Sequence, residues 1–324
     1  MIPSSKKPLA HSSFTIWSAM TSVYIIWGST YLAIRFAIET IPPFLMAGTR
    51  FLIAGGILYL IRKLLRDKAP SWNEWRSAIL IGTFLLVGGN GGVVWAQQYV
   101  VSGMTALLVG TAPLWMVLID LLHPSGRRPN RSAVFGLFLG FIGISLLIGQ
   151  DQLFHGGANI DLIGAFVLIV ASFSWAIGSL YSRQASLPSS PLLWTAMEML
   201  AGGASLFLLG ILTGELPKVN LSALSSRSLA GFAYLILFGS WVGLTSYTWL
   251  LRNAPTPLVS TYAYVNPVVA VLLGYLIAGE PITVYTVIAA TIIIGSVALT
   301  SISQQAFIKK ENLSSFLVRK GEGE

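Results

Sequence analysis

Ten long apolar stretches, separated by short loops, decide what this chain can fold into. They run over 14–35, 42–61, 77–98, 103–121, 132–149, 162–183, 191–212, 228–251, 257–279 and 283–302 of its 324 residues. A helix crosses the roughly 30 Å hydrocarbon core of a bilayer with about 20 apolar residues, so each stretch is close to the length of a span. Between them, Pro42-Pro43, the turn from Gly126 to Pro129, the segment from Pro188 to Pro191 and Pro255-Thr256-Pro257 hold residues that end helices. Only 10% of the residues are charged, against about 25% in soluble domains. The expectation is an all-α membrane protein of ten transmembrane helices, with the lipid bilayer as its solvent.

The basic residues set the orientation. With the N-terminus inside, 16 of the 20 Lys and Arg fall in cytoplasmic segments and only Lys218 and Arg227 in external loops. Arg35 and Arg50 lie at or within spans. That bias selects both termini cytoplasmic. Lys6 and Lys7 precede an apolar stretch too long for a signal-peptide core, with no small-residue cleavage site after it, so an uncleaved first span is expected. The net charge of +8 does not indicate nucleic acid, because the basic residues sit between apolar runs. The layout expected is a cytoplasmic tail (1–13), a first five-helix repeat (14–149), an external linker (150–161), a second five-helix repeat (162–302) and a cytoplasmic tail (303–324).

The two halves repeat. A shift of 148 residues carries Trp27 to Trp175, Arg35 to Arg183, Pro43 to Pro191, Gly55 to Gly203 and Leu58 to Leu206. A shift of 154 carries Gly89 to Gly243, Trp95 to Trp249 and Pro113 to Pro267. With an odd number of spans per copy, the second copy runs through the membrane in the opposite sense. Inverted repeats let a central site face either side by near-symmetric rocking. Chance matching of Trp, Gly and Pro in apolar sequence is the competing explanation, but loop punctuation and hydropathy repeat with the residues.

Chemistry-bearing motifs are few. The run Gly88-Gly89-Asn90-Gly91-Gly92 follows no strand and fits neither a P-loop nor a dinucleotide fingerprint. There is no cysteine, and His11, His123 and His155 fall in loops or near span ends, so neither a metal site nor a bound cofactor is expected. Gly88 and Gly92, like Gly239 and Gly243, have the small-xxx-small spacing that lets helices pack closely; the alternative is that these glycines let the third and eighth helices slide. Pro113 and Pro267 fall near midspan, where each frees the carbonyl four residues back, at Val109 and Ala263. Either they kink helices at a central cavity or they are ordinary packed kinks.

Polar and aromatic residues deep in spans form a candidate substrate pocket: Trp27, Tyr31, Asn90, Trp95, Trp115, Trp175, Trp241, Thr245, Tyr264 and Asn266. Amides in hydrocarbon need partners, and rings can hold an apolar or cationic ligand. Packing and an interfacial belt are the plainer readings, preferred for Trp194 and Trp249. Two spans carry midspan charges, Arg50 in the second and Glu198 in the seventh. Such charges are costly and are functional candidates by default, although Arg50 could snorkel and the two could form a structural ion pair. The repeat places them at equivalent positions, at depths differing by about 10 Å.

The residues Trp27-Gly28-Ser29-Thr30-Tyr31 and Arg50-Phe51 resemble the first helices of the EamA family of the drug/metabolite transporter superfamily. Ala112-Pro113-Leu114 and Asn266-Pro267-Val268 fit its fourth and ninth spans. Gly279-Glu280-Pro281 resembles its acidic turn before the tenth, and Gly126-Arg127-Arg128-Pro129 occupies the matching turn. The resemblance extends over roughly residues 15–302. It implies a cavity between spans 1, 3, 4, 6, 8 and 9, and transport of small metabolites, often amino acids outward, across a prokaryotic inner membrane. Carriers of sugars, nucleotide sugars or organic cations share such a frame. An intramembrane enzyme would need more converging Ser, His or acidic groups than Arg50 and Glu198 provide.

Overall fold

The computed structural model describes residues 13–122, 131–154, 161–254, 256–259, 261–299 and 302. Among them no strand occurs; the backbone is helical, in segments labelled here in chain order. They are α1 (13–37), α2 (Pro43–Leu64), α3 (Trp72–Ala96), α4 (102–122), α5 (Arg131–Phe154), α6 (Leu162–Ser182), α7 (Pro191–Leu212), α8 (Ser226–Asn253), α9 (Thr256–Val259 and Tyr262–Ala278) and α10 (Val284–Leu299). Six stretches, in α2, α3, α4, α6, α7 and α8, are long and apolar enough to cross a membrane, and α5, α9 and α10 hold shorter apolar helices. The tails, the turn at 126–129, His11, His123 and His155 lie outside the described residues.

Local sequence explains where the helices start and stop. Pro43 and Pro191 open α2 and α7, where a missing N–H costs nothing. Ser71 and Glu74 form a capping box at the start of α3. Asp161 caps α6 by accepting from the Gly164 N–H at 2.6 Å, and Ser225 caps α8 through the Ser228 N–H at 3.0 Å. Arg66 and Gly214 follow α2 and α7 with φ of 62° and 73°, the left-handed turn that ends helices. Pro113 proves to be a first-turn residue: α4 breaks at Gly110-Thr111 and resumes with Ala112–Leu122. Pro267 does lie within a helix, Tyr262–Ala278.

The most extensive helix–helix packing is that of the antiparallel pair α2 and α7, held close by glycine. A methyl group at Gly55 would lie 2.7 Å from Met199 Cβ, 3.0 Å from the Ala196 carbonyl and 3.1 Å from Leu200 N. At Gly203 it would lie 2.9 Å from Phe51 Cβ, 3.2 Å from the Gly48 carbonyl and 2.9 Å from Leu52 N. The 148-residue shift converts one set of neighbours into the other. Only a missing side chain permits such an approach of two backbones.

Acids 148 positions apart flank the pair, each meeting the start of the other helix through different contacts. Glu215, just past α7, accepts from the Phe44 and Leu45 N–H groups at 3.2 and 2.9 Å, satisfying the start of α2. Asp67, 148 positions earlier, follows α2 and faces Ser190, the N-cap of α7. The hydrogen bonds from Arg62, both 2.7 Å, hold the Asp67 carboxyl below the usual carboxylate range, with Ser190 adding to the shift.

Large apolar side chains cover the outside of the bundle: Leu64, Phe138, Ile163, Phe166 and Leu276 are each more than 60% exposed. Water does not tolerate so much contiguous apolar surface, whereas lipid tails do. Of the two plain readings given for Trp194, belt or packing, the structure shows packing: it is buried, with the Arg252 guanidinium 4.7 Å from its ring.

Candidate functional site

A narrow cavity of about 70 Å³ lies inside the bundle. Its wall draws on α1, α3, α4, α6, α8 and α9, and also on α2, through Arg50 and Phe51. Three of these helices carry π-helical turns beside it: Val23–Trp27 in α1, Thr83–Gly91 in α3 and Leu235–Leu244 in α8. Such turns re-aim side chains and recur at functional sites.

Glycines bring the wall together. A methyl group at Gly89 would lie 2.8 Å from the Trp175 ring, and one at Gly243 would overlap the Trp27 ring. Gly178 likewise meets Leu85, and Gly239 meets Thr30. Each pair maps onto its counterpart by the repeat shifts. Gly88 and Gly92 press against Ser174 and Ala171 of α6, so the glycine run serves close packing.

Of the sequence candidates, Trp27, Tyr31, Asn90 and Trp175 line the cavity together with Arg50. The rings of Trp27 and Trp175 meet edge to face at 5.4 Å. Tyr247 and Tyr262 join them, with Trp27 and Tyr247 4.7 Å apart and Tyr247 and Tyr262 5.4 Å apart. Polar edges are paired: Trp27 Nε1 donates to the Gly239 carbonyl at 3.4 Å, Trp175 Nε1 donates to Tyr247 Oη at 3.2 Å, and Ser179 and Tyr247 hydroxyls lie 2.7 Å apart. Tyr247 is fully buried and was missed by sequence reasoning.

The other candidates lie elsewhere. Trp95 packs at a tilt against Tyr99, ring centres 5.1 Å apart, and borders a separate depression with Ile38, Pro43 and Glu215. Trp115 packs edge-on between Phe141 and Phe173. Trp241 ties α8 to α2 by donating from Nε1 to the Ala54 carbonyl at 2.9 Å. Thr245 is outside the cavity wall, and its hydroxyl has no partner among the described residues. Asn266 is 3% exposed, and its amide nitrogen, oriented by its surroundings, faces the carbonyls of Val23, Tyr24 and Tyr262 at 3.2–3.3 Å. It fastens α9 to the π turn of α1. The Tyr264 side chain is outside the described residues.

The prolines act at a helix crossing. The Val109 carbonyl accepts from the Ser172 hydroxyl at 3.2 Å. Gly110 lets α4 approach α9: a methyl group there would lie 2.7 Å from the Ala263 carbonyl and 3.1 Å from Pro267 Cγ. Both carbonyls singled out by the prolines are thus at or beside this crossing.

The two midspan charges are not an ion pair. Arg50 is 4% exposed; its Nη2 donates to Asn90 Oδ1 at 3.3 Å and its guanidinium lies 4.1 Å from the Phe51 ring centre. Glu198 is 1% exposed, and neither carboxyl oxygen has a hydrogen-bond partner among the described residues. The helices that carry them face each other, but Glu198 sits about six residues, roughly 9 Å, further along the pair. Glu280, in the turn singled out before α10, accepts from the Ser102 N–H and hydroxyl at 3.0 and 2.8 Å, from the Gly103 N–H at 3.1 Å and from Arg35 at 2.9 Å. It therefore caps α4 rather than facing the cavity.

Comparison with known proteins decides the family. The EamA-like transporter family matches residues 14–149 and 162–302. The chain belongs to the EamA-like transporter family. It is 38% identical over 301 residues to the uncharacterized inner membrane transporter YedA of Escherichia coli strain K12, covering 91% of this chain and 93% of YedA. It is 27% identical over 284 residues to the uncharacterized transporter YoaV of Bacillus subtilis strain 168, covering 84% of this chain and 91% of YoaV. A crystal structure sharing 20% identity superposes with a TM-score of 0.62 over 90% of this chain and 98% of the other, a likeness of fold. As an EamA-family chain built of apolar helices, the protein is an integral membrane protein.

Proposed function

We propose that the chain is a secondary transporter that moves a small organic metabolite, such as an amino acid, by alternating access, with no bound cofactor. In this reading ten helices form two inverted five-helix repeats, over 14–149 and 162–302. Both termini are cytoplasmic in a prokaryotic inner membrane.

One observation carries the proposal: contacts related by the repeat shifts flank one central cavity. Gly55 and Gly203 exchange equivalent neighbours at the α2–α7 crossing, and the Trp27–Gly243 and Trp175–Gly89 contacts pair off beside the cavity. Two packed halves with the same contact set can exchange roles, which is what presenting one site to alternate sides requires. A cavity inside such a frame serves a carrier more readily than a continuous pore.

The test is reconstitution of the purified protein into liposomes. Saturable uptake that is accelerated by unlabelled solute loaded on the opposite side is the expected result. Non-saturable flux without counterflow for any metabolite tried would mark a pore and sink the proposal.

A further inference from the structure

We infer that the cavity recognises a small organic monoanion, with Arg50 taking a carboxylate and the Trp27–Trp175 wall taking an apolar body. This rests on the transport reading for its physiological meaning and narrows the metabolite named there from an amino-acid zwitterion to a monoanion, but it concerns binding and is tested as binding.

The argument starts from charge. Among the described residues of the cavity wall, Arg50 is the only one with a formal charge, and no Asp or Glu faces it there. Its guanidinium has five N–H donors and no acceptor. Asn90 Oδ1 takes one, whereas Nε and Nη1 are buried without a protein acceptor. A buried cation left in this state is costly unless an anion joins it. Asn90 adds to the demand: with its oxygen engaged by Arg50, its amide group offers N–H donors to whatever shares the site. The polar corner of the cavity thus presents donors and lacks an acidic acceptor.

A carboxylate answers that corner. It accepts two parallel hydrogen bonds from a guanidinium fork, and its single negative charge balances the single positive one. A phosphate dianion would bring a second charge with no further cation in the wall to meet it. An organic cation would be repelled by Arg50, which argues against the cationic ligand that aromatic residues alone allow. The same wall includes Trp27 and Trp175, whose rings meet edge to face, and Tyr31. Their indole N–H groups are already used within the protein, so these rings offer apolar contact rather than hydrogen bonds. Arg50 and the aromatic wall together specify an amphipathic acid.

The experiment uses the full-length purified protein and four probes: 3-phenylpropionate, its neutral amide, phenethylamine and inorganic phosphate. Thermal unfolding reports binding as a concentration-dependent rise in melting temperature. Tryptophan fluorescence gives a second readout through Trp27 and Trp175. The expected result is stabilisation by 3-phenylpropionate at concentrations about tenfold lower than by the amide, a difference of about 1.4 kcal/mol, and none by the amine or by phosphate. Arg50→Lys should keep the preference for acid over amide with weaker binding, and Arg50→Met should abolish the preference. Equal action of acid and amide on the wild type, stabilisation by the amine, an effect of phosphate matching that of the acid, or a preference that survives Arg50→Met would each overturn the inference, as would no response to the acid. If Arg50→Met does not fold, lowering the pH through the ligand's own carboxyl titration decides. Binding by the wild type should fade as the ligand becomes neutral, and persistence would overturn the inference. A protein that binds the acid but shows no counterflow fails the transport reading alone. One that shows counterflow but no acid preference fails this inference alone.

Discussion

At the scale of single residues, Glu280 shows a buried charge whose hydrogen-bond partners are built into the fold. Glu280 is 5% exposed and receives four hydrogen bonds, three of them from the start of α4. Replacing it with Ala leaves buried donors without an acceptor, at about 1–3 kcal/mol. Thermal unfolding of purified Glu280→Ala in detergent should show a loss of that size, with Glu280→Gln milder because it keeps one acceptor. Arg50 and Glu198 differ: they lack a mutual contact and sit roughly 9 Å apart along the α2–α7 pair. A double-mutant cycle of Arg50→Met and Glu198→Gln, read by unfolding, should therefore be additive within about 0.5 kcal/mol. A larger coupling energy would show that the two charges communicate and would contradict the observed geometry.

At the scale of helices, stability depends on how closely α2 and α7 approach. Gly55 and Gly203 each leave no room for a side chain, and in each the obstruction includes backbone atoms of the facing helix. Backbone cannot turn aside as a side-chain tip can, so added atoms force the helices apart. Gly55→Val and Gly203→Val should each destabilise by about 1–3 kcal/mol. Their equivalent surroundings make the two losses similar, within the error of a denaturation series. By contrast Gly56, with no heavy atom within 4 Å of an added methyl group, should accept Ala with no loss, since Ala is the better helix former. A large loss at Gly56 would show that crowding is not what distinguishes these positions.

At the scale of the whole molecule, the distribution of basic residues predicts both termini on the cytoplasmic side. Paired activity reporters fused after Gln305 should report the cytoplasmic side; an external signal would reverse the topology and remove the basis for an even number of spans. If the two halves exchange roles during transport, mutations at related positions should weigh on opposite phases of the cycle. Trp27→Ala and Trp175→Ala would then shift counterflow in opposite senses when solute is offered from either side. Identical, direction-independent losses would show that the two indoles serve packing alone.

By itself the sequence determined the helical class and the approximate ends of the segments. Apolar length, proline and glycine punctuation and basic loops are local signals, readable without knowing what touches what. It also singled out Trp27, Tyr31, Asn90, Trp175 and Arg50, because polar or aromatic groups in hydrocarbon stand out against their neighbours. Only tertiary structure decided which of the candidates share a cavity, since that depends on which side of each helix faces inward. Trp241 and Asn266 look like lining residues in sequence, yet they hydrogen-bond to backbone carbonyls of Ala54 and of the α1 turn. Trp115 is held between two phenylalanines. The π turns in α1, α3 and α8 shift the rotation of everything after them, so a regular 3.6-residue period cannot carry inward facing through them. That Arg50 meets Asn90 rather than Glu198 follows from the register of α2 on α7, which is set by glycine contacts between residues some 150 positions apart in the chain.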